Sequence, residues 1–179
     1  MSGNLIWMDL EMTGLNPEIN VIIEIATVVT TPDLDIVAEG PSLAIFQPKE
    51  SMDLMDEWNQ QHHSESGLLD RIASYGVSLT EAEAMTLDFV SSHVDRGEAP
   101  LCGNSIWQDR RFLARHMQSL ESYLHYRIVD VSTIKELAQR WAPKVLDGVI
   151  KQGNHRALDD VLESIAELRH YRTHLFNVD

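Results

Sequence analysis

Trp7-Met8-Asp9-Leu10-Glu11-Met12-Thr13-Gly14 decides how the rest of this chain is read. Side chains alternate across a strand, so Asp9 and Glu11, two positions apart, share one face of an otherwise apolar run. Burying both carboxylates alone costs several kcal/mol in lost hydration and mutual repulsion. Shared cations remove that cost. Oxygen ligands at this spacing suit Mg²⁺ or Mn²⁺, which keep water and accept phosphate oxygens as further ligands. The competing reading of a bare D-x-E places one carboxylate at the solvent end of the strand as a turn residue. Thr13-Gly14-Leu15-Asn16-Pro17 then supplies turn chemistry.

Working outward, the spacing predicts strands from Asn4 to Leu10, from Val21 to Thr31 and from Ile36 to Phe46, the last bent near Gly40-Pro41. Glu24 is an unusual residue inside the second run. Met52, Leu54, Met55 and Trp58 read as one short amphipathic stretch. Thr80 to Val94 reads as a longer helix capped by Thr80 with Glu83 three residues on. Short strands follow at Pro100 to Gly103 and Tyr126 to Val131, and helices at Gln108 to Met117 and Ser132 to Trp141. Leu146 to Asn154 reads as a polar loop. His155 to Tyr171 reads as a last helix whose inner stripe is Leu158, Val161, Leu162, Ile165 and Leu168. Three β-rich runs followed by alternating helix and strand imply an α/β fold with a mixed sheet. There is no repeat or linker, so one domain over residues 1–179 is expected.

Composition narrows the function. No stretch approaches the roughly 20 apolar residues that cross a bilayer, and the start of the chain lacks a basic segment of the signal-peptide kind. Cys102 is the only cysteine, which excludes an intrachain disulfide. The expectation is a cytoplasmic protein with no membrane partner. Fourteen Lys and Arg against 28 Asp and Glu give a net charge of −14. That is awkward for a protein that grips long polyanions, whose affinity comes from many basic side chains. No Lys or Arg precedes Lys49, yet seven acids do. A phosphate approaching the early carboxylates therefore needs positive charge from divalent metal ions. On charge alone, a merely acidic globular chain is the alternative.

Two later segments strengthen the metal reading. Gln108-Asp109-Arg110-Arg111-Phe112 puts Asp109 at a helix start after a buried strand, and His155-Arg156-Ala157-Leu158-Asp159-Asp160 puts a histidine and an acid pair at the start of the last helix. With D-x-E these segments resemble the histidine-containing branch of the DEDD exonuclease superfamily. Leu5 to Leu15, Cys102 to Ser105, Gln108 to Phe112, Asp130 to Leu137 and Lys151 to Asp160 are together similar to the oligoribonuclease family, over nearly the whole chain. That likeness implies an RNase H-like exonuclease fold, its mixed sheet flanked by helices. It also implies a 3′→5′ exoribonuclease that hydrolyses short oligoribonucleotides with two divalent metal ions, Mg²⁺ or Mn²⁺. Trp107 departs from the pattern, standing where the family has a smaller residue.

Carried over by position, the resemblance makes Asp9, Glu11, Asp109 and Asp160 the metal ligands and His155 the general base, since a neutral imidazole takes a proton near pH 7. Helical spacing does not choose between Asp159 and Asp160; the family pattern selects Asp160. A helical Trp is by itself more often core, but the resemblance makes Trp58 a base-stacking residue and His63 a substrate contact. Leu15 matches a wedge between bases, or else is an ordinary turn hydrophobe. Tyr126 and Arg127 match a pair that reaches across a homodimer, Tyr126 stacking and Arg127 capping a 5′ phosphate with Ser105 and Ser132. Without the family, Arg127 reads as a surface ion pair. The implied partner is single-stranded RNA of roughly two to five nucleotides, with no long duplex. The alternatives are a superfamily exonuclease acting on longer RNA or DNA, and a nucleotide-binding module without catalysis.

Overall fold

The computed structural model describes residues 3–149 and 156–176. Strands β1 (Leu5–Met12), β2 (Ile22–Thr30), β3 (Ile36–Ala44), β4 (Leu101–Gly103) and β5 (Ile128–Asp130) form one mixed sheet in the order β3-β2-β1-β4-β5. β1, β2 and β3 pair antiparallel, whereas β4 and β5 are parallel to β1 and to each other. All nine residues of β2 are buried, which explains its near-continuous apolar sequence. The β2–β3 register slips where Gly40 and Pro41 sit, between the pairs Ala26–Ser42 and Val28–Glu39. This is the bend expected there.

Eight α-helices are described: α1 (Lys49–Met52), α2 (Glu57–Glu65), α3 (Leu68–Tyr75), α4 (Leu79–Ser91), α5 (Ile106–His116), α6 (Gln118–Glu121), α7 (Val131–Trp141) and α8 (Ala157–His174). Ile6, Met8 and Leu10 of β1 pack in one cluster with Ala82 and Val90 of α4 and Phe112 and Leu113 of α5. On the other face, Trp7 packs with Val131 of α7 and Ala157, Val161 and Ile165 of α8. Period-2 alternation therefore turns Asp9 and Glu11 toward α8. Gly103 ends β4 where a Cβ would lie 2.9 Å from the Met8 carbonyl oxygen and from Ile106. Only glycine lets α5 begin so close to β1.

The helices correct three expectations. Met52 to Trp58 is not one stretch: α1 ends at Met52, and Asp56 caps α2 by accepting from the Asn59 N–H at 2.8 Å. That break buries Met55 and leaves Trp58 outside. The α4 cap is Ser78, not Thr80. Ser78 and Glu81 form the reciprocal box, while Glu83 accepts instead from the Ser119 and Leu120 amides of α6. The start of the expected loop after Leu146 lies in a 3₁₀ turn, Pro143–Gly148. No helix among the described residues is long and apolar enough to cross a membrane.

Candidate active site

Three carboxylates meet at the carboxyl end of β1. Ligand oxygens of Asp9, Glu11 and Asp160 all lie within 4.8 Å of one another. Asp160 reaches them from the first turn of α8; Asp159 is not in the cluster. Asp109, in the first turn of α5, lines the same cleft, and its Oδ1 accepts the Leu10 N–H at 2.9 Å. That bond fixes the carboxylate against β1 and leaves Oδ2 for another partner. The cleft has a volume of about 260 Å³ and is also walled by Leu15, Trp58, Ser105 and Gln108.

The charges are in conflict. Burial, with repulsion from Asp109, Glu11, Asp160 and Glu24, pushes the Asp9 carboxyl well above the usual range. Burial and the neighbouring Asp160, Glu24 and Asp109 push Glu11 up to about 8, against an opposing pull from Arg71. Asp109 rises to about 7 through burial, even with the Leu10 N–H holding its charged form. Among the described residues, neither Asp9 nor Glu11 forms an ion pair with Lys or Arg; His63 Nδ1 lies 3.9 Å from Glu11. An all-oxygen donor set of converging carboxylates fits hard divalent cations.

A measurable consequence follows for the metal-free protein. Between the ordinary carboxylate range and about 8, folded Glu11 keeps a proton that the unfolded chain has released. The folded state then binds more protons, so stability is present at low pH and is lost as pH rises toward 8. In EDTA the protein is expected to lose about 2 kcal/mol between pH 6 and 8 from Glu11 alone. Saturating Mn²⁺ should flatten or reverse the trend, because ligands bind metal deprotonated. Thermal melts across that range test it. A Tm that rises with pH in EDTA, or a slope unchanged in Glu11→Gln, counts against the conflict.

Other residues named from the sequence fall into distinct places. Leu15 is 74% and Trp58 67% exposed, both on the cleft, and Trp58 stacks on His62 with centroids 4.7 Å apart. His63 is only 2% exposed, its Nε2 3.0 Å from the Met12 carbonyl oxygen. Ser105 begins α5 with φ +51, a left-handed conformation rare for a side-chain-bearing residue. Its N–H is held by Asp130 Oδ1 and Ser132 Oγ, each at 2.9 Å. Tyr126 and Arg127 are exposed and outside the wall of their own chain's cleft, with the guanidinium 5.4 Å above the Tyr126 ring. Trp107 is exposed under Arg111. His155 lies outside the described residues. Burial pushes the Cys102 thiol up, away from nucleophilic use.

Sequence reading missed Gln108. Its Nε2 donates to the Leu15 carbonyl at 2.7 Å, tying the exposed leucine to α5, and its Oε1 accepts from Arg111. An uncharged amide beside an acid carries no periodic signal. Arg71 was missed because α3 was not delineated at all.

The exonuclease family model matches residues 6–168. A Shewanella loihica oligoribonuclease is 57% identical over 98% of this chain and 97% of its own length. A Pseudomonas aeruginosa PAO1 oligoribonuclease is 58% identical with the same coverage. The chain belongs to the oligoribonuclease family. Membership of this exonuclease family makes it a nuclease, a hydrolase with an RNase H-like exonuclease fold. Escherichia coli exonuclease I in complex with a dT13 oligonucleotide superposes with a TM-score of 0.76 at 13% identity, over 98% of this chain and 43% of that one. Its metal-free complex with single-stranded DNA gives 0.74 at 12% identity, over 98% and 41%. This chain thus spans about two fifths of exonuclease I, and the likeness is one of fold. Against these oligoribonuclease relatives the match covers 98% of this chain and 97% of theirs.

Proposed function

We propose that this member of the oligoribonuclease family is a 3′→5′ exoribonuclease that removes nucleoside 5′-monophosphates from very short single-stranded RNA, dinucleotides above all. The observation that carries the reading is the meeting of Asp9, Glu11 and Asp160 in a cleft that also presents exposed Leu15 and Trp58. Asp9, Glu11, Asp109 and Asp160 would hold the divalent ions, Mg²⁺ or Mn²⁺. When bound, such ions lower the pKa of water and offset charge on the departing 3′-oxygen. His155, five residues before Asp160 in the family motif, takes the proton from the attacking water. Trp58 offers a ring face to a base, and Leu15 separates it from its neighbour.

Arg127 supports the short-substrate reading. Its guanidinium has no carboxylate partner among the described residues, although acids outnumber bases twofold. Exposed and outside its own chain's cleft, the Tyr126-Arg127 pair suits service to the cleft of a second subunit. There Arg127 caps a 5′ phosphate with two hydrogen bonds from its planar fork, beside Ser105 and Ser132. An enzyme that grips one or two phosphates needs no basic track, which reconciles the charge of −14 with an RNA substrate.

The test is a series of 5′-phosphorylated RNAs from two to about ten nucleotides with Mg²⁺, Mn²⁺ or EDTA. The dinucleotide should turn over fastest, and EDTA should abolish release; equal rates along the series overturn the length assignment. In the same assay, Arg127→Ala should cost the dinucleotide about 1.5–3 kcal/mol, the scale of a charge-assisted hydrogen bond. Removing the 5′ phosphate should cost the parent a similar amount and the variant almost nothing more. Additive losses would mean that Arg127 and the phosphate do not meet. A monomeric variant fully active on dinucleotides would overturn the cross-subunit assignment and reduce Tyr126 and Arg127 to a strand-end aromatic and a surface cation.

A further inference from the structure

Glu24 is a charged residue in the middle of a fully buried strand, with 0% exposure, and the chemistry above does not use it. Burying a carboxylate is costly unless it is paired and hydrogen-bonded. Its partners come from two distant parts of the chain. Oε1 accepts from Arg71 Nη2 of α3 at 2.5 Å. Oε2 lies 3.5 Å from the N–H of Ala157, the first residue of α8. That amide is one of the donors a helix start leaves without an internal acceptor, and the α8 N-cap residue, Arg156, supplies no side-chain cap. Glu24 therefore does from across the sheet what a local capping residue usually does.

Its place relative to the carboxylate cluster is equally specific. In the antiparallel β1–β2 register Glu24 stands directly opposite Glu11, and Ala26 opposite Asp9. Beyond that pair the register shifts, leaving Ile23 without a counterpart on β1. Glu24 is thus the last β2 residue in step with the D-x-E strand, and its charge is among those felt by both Asp9 and Glu11. Asp160 sits three residues after Ala157 in the same helical turn. Whatever fixes the Ala157 amide fixes the distance between Asp160 and Glu11.

We propose that Glu24, held by Arg71, is a positioning residue of the divalent-metal centre. It anchors the first turn of α8 to β2 so that Asp160 meets Asp9 and Glu11, and it adds a non-ligating negative charge behind them. Arg71 keeps that charge tolerable in the interior. The inference rests on the reading of Asp9, Glu11 and Asp160 as metal ligands. Outer partners of this kind typically change metal affinity 10- to 100-fold when altered.

The experiment is calorimetric titration of the whole protein with Mn²⁺ alone, beside thermal melts, for the parent, Asp9→Asn, Glu24→Gln and the double variant Glu24→Gln/Arg71→Met. Glu24→Gln should weaken Mn²⁺ binding about 10- to 100-fold and lower Tm, because Arg71 loses its partner. The double variant removes the buried carboxylate together with its Arg71 partner, so it should regain Tm yet keep the weakened affinity. A double variant that binds Mn²⁺ like the parent would reduce Glu24 and Arg71 to a structural ion pair and overturn the proposal. Should Glu24→Gln alone fail to fold, the double variant still decides. Asp9→Asn should lose Mn²⁺ binding altogether; if it does not, the reading of the cluster itself fails, which is a different outcome from a silent Glu24.

Discussion

Asp160→Asn and Asp9→Asn are each expected to lower turnover of a short RNA by about 10³-fold or more while leaving the fold intact. Each removes a carboxylate from a cluster whose members lie within 4.8 Å, and on the proposed reading a direct metal ligand supplies several kcal/mol to catalysis. The amide keeps the volume, so no cavity accompanies the loss. Stability in EDTA should move the other way. Asp9 and Glu11 repel one another and are both disturbed by Asp160, so deleting either charge should raise the metal-free Tm. Lower activity with higher apo stability separates a ligand from a structural acid, whose removal lowers both. A variant that retains more than about a tenth of the parent rate would make the role of direct ligand untenable.

His155→Ala is expected to lower kcat by roughly 10²–10⁴-fold, with KM for the same RNA little changed. The residue immediately precedes Arg156, the N-cap of α8. In the family motif it acts on water and not on the nucleotide, so its loss should be felt in the chemical step. The acid limb of the pH–rate profile should disappear or move, since protonated imidazole cannot accept a further proton. An unchanged profile in the variant would show that another group takes the proton. With Asp9→Asn, the pair separates two failures: one variant keeps Mn²⁺ binding and loses the base, the other loses Mn²⁺ itself.

Local periodicity carried much of this protein. A strand's period of two places Asp9 and Glu11 on one face whatever the rest of the chain does, and the β-branched run of β2 marks a strand buried on both sides. The five strands and the long helices could be drawn from such patterns. Short helices could not. α3 and α6 were not expected, and α4 was capped two residues late, because Ser78-x-x-Glu81 and Thr80-x-x-Glu83 are equivalent signals until Glu83 is engaged by α6.

What the sequence determined by itself was the inventory and order of acids, the strand that pairs the first two, and the family likeness that nominated the others. Tertiary structure decided which groups meet. Asp160 and Asp159 both lie off the apolar stripe of α8, and only the seating of that helix against β1 turns Asp160 into the cluster. Asp109 is oriented by an amide 99 positions away, and Glu24 by partners 47 and 133 positions away. Gln108 holds Leu15 over 93 positions. Helix and strand periods are set by neighbours a few residues apart, so they leave a mark in the sequence. The charge balance of a buried site is set by separated segments packed together, and no single segment records it.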